Sequence, residues 1–135
     1  MTSETYARAV SDLIVSIDWS EVREGKLDEL RTAMEALVDF VETHEHRPLA
    51  YEVYFNGGGT TMTVLQIHPD PASMEYHMRV AAPEFAKVKD LLSLSAIEIY
   101  GTPSEALLDQ MQQKARLLGG ATLDVYDLHA GFSRL

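Results

Sequence analysis

Few side chains in this chain of 135 residues have both the type and the placement to do chemistry, and His77 leads them. Met74, His77, Met78 and Ala81 recur at i, i+3, i+4 and i+7, so a helix places the imidazole on its inner stripe. An imidazole titrates near neutrality and can act as a general base from such a position. The same spacing also suits a histidine that fills space and bonds to a backbone carbonyl. Gln66 and His68 share one face of an alternating run, where both could line the mouth of a cavity; His68 also precedes Pro69, as a residue of an exposed turn would. Trp19 offers a flat surface and an indole donor to an aromatic ligand, or else a core or interface anchor. Tyr51, Tyr54, Tyr76 and Tyr100 supply hydroxyls, none of which stands out.

Other chemistries find less support. The chain has no cysteine, which removes disulfides, thiolate metal sites and a cysteine nucleophile. No histidine and acid spacing reads as a zinc or iron motif, so neither a metal nor a cofactor is expected. Gly57-Gly58-Gly59 precedes a strand instead of opening a helix, which disfavours a phosphate cradle. A net charge of −10 without a Lys/Arg cluster opposes nucleic acid and anionic lipid as partners. The acids between Asp18 and Glu52, Glu45 among them, read as a solvated face. No apolar run approaches the roughly 20 residues that span a bilayer, and residues 1–12 lack the pattern of a secretory signal, so a cytoplasmic location is expected.

The elements that must position these residues follow from periodicity. Leu13, Val15, Ile17 and Trp19 alternate with Ile14, Ser16, Asp18 and Ser20, which predicts a strand whose apolar face is the first set. Leu27, Leu30, Met34, Leu37, Val38 and Val41 predict a long amphipathic helix. Strands are predicted over 50–56 and from Met62 to His68, joined by a Gly-rich hairpin. Asp70-Pro71 announces the helix that carries His77, with a break or kink at Pro83 and a further apolar stripe through Leu92. A strand over 96–100 closes the unit. Thr102-Pro103-Ser104-Glu105 predicts a capping box for another helix, and 122–129 a fifth strand.

The order βαββαβ is a ferredoxin-like α+β unit: an antiparallel four-stranded sheet under two covering helices. The core spans 13–100, and 102–135 forms a helix-strand extension of the same single domain. Two helices cover one sheet face, and sizeable side chains lie on both, so a homodimer packed through the second face is expected.

These residues resemble the antibiotic biosynthesis monooxygenase-like members of the dimeric α/β barrel group. The likeness runs from Leu13 to Tyr100, through Arg23-Glu24-Gly25-Lys26, Tyr51-Glu52-Val53-Tyr54, Gln66-Ile67-His68-Pro69, Glu75-Tyr76-His77 and the Pro83 to Phe85 segment. It departs where Gln66 and His68 replace an acid and a tryptophan common on the third strand. The resemblance implies a homodimer with a cavity between sheet and helices that takes a small aromatic ligand. It also implies a cofactor-independent monooxygenase acting on a phenolic, quinol or polyketide-like substrate, with His77 as base. A haem-binding or haem-degrading protein with His77 on the iron, and a non-catalytic ligand-binding or interaction module, are the alternatives.

Overall fold

The computed structural model describes residues 12–135. Its elements are β1 (Ile14–Val22), α1 (Leu27–His44), β2 (Ala50–Phe55), β3 (Thr61–His68), α2 (Pro71–Ala86), β4 (Leu92–Tyr100), α3 (Glu105–Leu117) and β5 (Thr122–Tyr126). One mixed sheet runs β2-β3-β1-β4-β5; the first four strands pair antiparallel, and β5 lies parallel to β4. This is the expected ferredoxin-like α+β fold, enlarged by one strand. The extension stays within the subunit, because α3 provides the crossover a parallel pair requires.

Local chemistry sets the boundaries. Asn56 ties the hairpin by accepting from the Thr60 and Thr61 N–H groups through its side-chain oxygen, and Gly59 supplies the one positive φ there, +67°. The Asp70 carboxylate accepts from the Ser73 N–H at 2.9 Å and caps α2 ahead of Pro71, as the sequence predicts. Pro83 does not end that helix. It runs through to Ala86, since the packing of Met78, Ala81 and Phe85 in the core outweighs one missing backbone bond. Leu92, expected on a helix, opens β4 instead. The cap of α3 is Ser104, which accepts from the Leu107 N–H at 3.1 Å, so Pro103 precedes the helix.

The predicted inner face of β1 is reversed. Ile14, Ser16, Asp18 and Ser20 are buried, whereas Leu13, Val15 and Ile17 are half-buried and Trp19 is exposed. Side chains from α1, α2 and α3 (Met34, Phe85 and Lys114) meet Asp18 around one hollow, so all three helices cover the same face of the sheet. The opposite face carries Val15, Ile17, Trp19, Leu65 and Ile67. No helix among the described residues is long and apolar enough to cross a membrane.

Candidate functional site

The strand register gathers polar side chains under the helices. Tyr51, Gln66 and Ser16 stand opposite one another on β2, β3 and β1; His68 and Asp18 lie two residues along from Gln66 and Ser16 on the same face. From above, α2 contributes Ser73 and His77, four residues apart on one helix face, and α3 contributes Lys114. Glu45 enters from the segment that follows α1.

His77 is fully buried, and its Nδ1–H donates to the Glu45 carboxylate, 2.8 Å from Oε2 and 3.1 Å from Oε1. A carboxylate can only accept, so in the neutral ring this bond fixes the tautomer and leaves the lone pair on Nε2. Among the described residues Nε2 has no hydrogen-bond partner, and it is buried; the Tyr51, His68 and Phe85 ring centroids lie 5.3, 5.8 and 5.5 Å from that of His77. The pair is a base held in orientation by an acid.

A second chain of hydrogen bonds runs beside it. The Ser73 hydroxyl donates to His68 Nδ1 at 2.8 Å, and His68 Nε2–H donates to Gln66 Oε1 at 3.0 Å. Burial, helped by the neighbouring His77, pushes the His68 pKa down to about 3, so the ring is neutral and works as a relay. With Oε1 engaged, the Gln66 amide presents its NH2 to the interior, buried and without a partner. The Tyr51 hydroxyl is raised well above its ordinary range by burial, then by Asp18 and Glu45, and stays protonated.

Also next to Phe85, Lys114 Nζ donates to Asp18 Oδ2 at 2.5 Å and sits 4.6 Å from the Phe85 ring centroid. Asp18 Oδ1 and Ser16 Oγ are buried without partners. Among the described residues the site thus holds four unsatisfied polar atoms, on Ser16, Asp18, Gln66 and His77. Each costs about 1–3 kcal/mol while it stays desolvated and unpaired.

The expected residues therefore divide. His77, His68 and Gln66 come together; Trp19 does not, because it lies on the opposite sheet face, 44% exposed, with its indole N–H on Glu98 Oε1 at 2.5 Å. His68 is buried inside the unit and not in an exposed turn. Glu45, Asp18, Lys114 and Ser16 escaped the sequence reading. The first two had been counted as solvated acids, and both are buried and paired. A signal existed for Lys114, which interrupts the apolar stripe of Leu107, Met111, Ala115 and Leu118.

The hollow between sheet and helices measures only about 30 Å³, room for about one water molecule; it lies at Asp18 and Lys114, lined also by Met34, Met62, Tyr51 and Phe85, and His77 does not border it. The open cavity implied by the resemblance is closed in this arrangement. An outer pocket of about 410 Å³ lies over Glu45 and Ser73, bordered by His44, His46, Arg47, Tyr76 and Arg79. Its floor is thus made of the outer partners of the two buried histidines. Among the described residues no group of three His, Asp or Glu side chains is placed to hold a metal ion.

No protein-family profile matches the chain, and no curated protein matches it significantly. Solved structures do. MupZ from Pseudomonas fluorescens aligns with a TM-score of 0.71 at 19% identity, over 91% of this chain and 95% of its own. A conserved protein from Methanosarcina mazei Go1 aligns at 0.61 and 20% identity, over 71% of this chain and 98% of that one. A Caulobacter crescentus CB15 protein described as a "putative antibiotic biosynthesis monooxygenase" aligns at 0.61 and 14% identity, over 75% and 99%. At these identities the likeness establishes the fold, the one expected from the resemblance.

Proposed function

We propose that this domain is a cofactor-independent monooxygenase, active as a homodimer, that oxidises a small phenolic or quinol substrate in the space under the helices. The observation that carries the reading is the His77–Glu45 pair, whose Nε2 has no partner among the described residues, with the unpartnered NH2 of Gln66 buried on the other side of one intervening ring, that of His68. A base and a donor are what proton removal from a phenol needs: Nε2 takes the proton, Glu45 balances the imidazolium, and the Gln66 amide donates to the phenolate oxygen. The phenolate passes an electron to dioxygen. The resulting pair joins at a hydrogen-bearing ring carbon para to that oxygen, the peroxide takes back the proton from the His77 imidazolium, and loss of water from this hydroperoxide leaves a quinone. One dioxygen is consumed; one of its atoms enters the product and the other leaves as water. The four unsatisfied atoms favour admitting a polar ligand, and Met34 and Met62 have the rotational freedom to make way for it.

Haem fits these residues less well than a phenol: three rings surround His77 within 6 Å, and a macrocycle would have to displace far more of this packed interior than a single small ring system. The same close packing favours a second reading, a non-catalytic module whose polar interior serves only to fix its packing.

Oxygen uptake on a panel of quinols and anthrones separates the two. A cofactor-independent oxygenase consumes one dioxygen per quinone formed, and His77→Ala lowers kcat by about 10²–10⁴-fold, the usual worth of a general base. Retained activity in His77→Ala removes that residue as base, and no uptake across the panel favours the silent module.

A further inference from the structure

Half of the polar interior takes no part in deprotonation, and α3 supplies its cation. Lys114 is 7% exposed and Asp18 4%, so an ammonium and a carboxylate lie buried together, one from the extension and one from the first strand. Such a pair gains little over apolar residues of similar volume, so stability is a weak reason to have it. Its geometry is also incomplete. Among the described residues one hydrogen-bond partner occupies the Lys114 ammonium, which has three N–H donors, while Asp18 Oδ1 and the Ser16 hydroxyl two residues away on the same face have none. An unfilled donor beside an unfilled acceptor matches a hydroxyl group, which accepts from one and donates to the other.

The spacing ties this pair to the base. Phe85 neighbours both, its centroid 4.6 Å from Lys114 Nζ and 5.5 Å from the His77 centroid. The two centres are no further apart than those legs laid end to end, and Tyr51 borders both. A flat ring system packed against Phe85 and Tyr51 reaches from one to the other.

Resting on the reading of this interior as a substrate site, we propose that Asp18 and Lys114, with Ser16, form a second recognition end that selects aromatic substrates carrying another hydroxyl, remote from the one that His77 deprotonates. The extension after Tyr100 is then a specificity element, since α3 brings the ammonium. Neutral dihydroxy aromatics are the favoured class; a substrate with a carboxylate at this end meets Asp18 as a like charge.

Two probes decide it: 1,5-dihydroxynaphthalene, which carries a hydroxyl at each end, and 1-naphthol, which carries one. In wild type the first binds about ten to a hundred times more tightly by titration calorimetry, the worth of a hydrogen bond to charged partners. The double variant Asp18→Leu/Lys114→Met replaces the pair by apolar groups of similar volume, which keeps the fold, and brings the ratio close to one while 1-naphthol still binds. Ser16→Ala, a milder change, reduces the ratio only in part. A ratio near one in wild type, or an unchanged ratio in the double variant, overturns the assignment. Selective binding without oxygen uptake leaves it standing and removes the oxygenase; failure of both probes to bind wild type removes both.

Discussion

Lowering the pH tests the buried relay directly, because His68 cannot take a proton without breaking it. Its Nδ1 accepts from Ser73, and its pKa in the folded protein is about 3, against about 6.5 in an unfolded chain. Below pH 6.5 the unfolded chain gains a proton at this position that the folded one refuses. Stability is therefore fully present above 6.5 and is lost as pH falls toward 3, at about 1.4 kcal/mol per pH unit. Between pH 7.5 and 4.5 the loss from this residue is about 2.7 kcal/mol, from the two units that lie below 6.5. The groups facing the ring reinforce the sign: His77 and Arg47 disfavour a positive charge there, and Asp70 only partly offsets them. The comparison is with His68→Gln, which keeps one donor and one acceptor near the two ring nitrogens but does not titrate. Urea denaturation of both proteins across this range should give curves whose separation changes by about 2.7 kcal/mol, with wild type losing ground on acidification. Parallel curves, or a His68 ring that protonates near pH 6 by nitrogen NMR, refute the argument.

Two other predictions concern stability and assembly. Lys114→Met alone leaves Asp18 buried without its cation and should cost about 3–5 kcal/mol in urea unfolding, most of which Asp18→Leu restores in the double variant. The sheet face with Val15, Ile17, Trp19, Leu65 and Ile67, which no helix among the described residues covers, predicts a dimer in analytical ultracentrifugation; Ile17→Lys should dissociate it by burying a charge at the centre of that face.

Much of this molecule is written locally. The stripe Met74, His77, Met78, Ala81 is a helical period, and each of those side chains is indeed buried. Met62, Val64, Gln66 and His68 alternate as a strand, and their face is the inner one. Asp70-Pro71 states the start of α2 in the chemistry of its cap. What failed in β1 was the choice of face, because the rule that apolar residues turn inward assumes one buried face. Here the inner face carries Ser16 and Asp18, made tolerable by a lysine nearly a hundred residues later, and the outer face is apolar as well. Glu45 has no periodic signature. It follows the last turn of α1, and only the approach of α2 turns it from one more acid of a charged stretch into the partner of His77.

These errors share a cause that bears on function. Periodicity reports which residues can avoid water, and it is silent about polar groups that are buried because another element satisfies half of their hydrogen bonds. Both misread acids belong to that class, and each is satisfied from one side only: Glu45 fixes an imidazole whose second nitrogen is free, and Asp18 engages an ammonium while its second oxygen is free. A core selected for stability alone would more cheaply be apolar at both places. That the unfilled positions all lie buried between sheet and helices, with Phe85 in contact range of both pairs, is the reason to treat the site as built for a ligand with two oxygen functions.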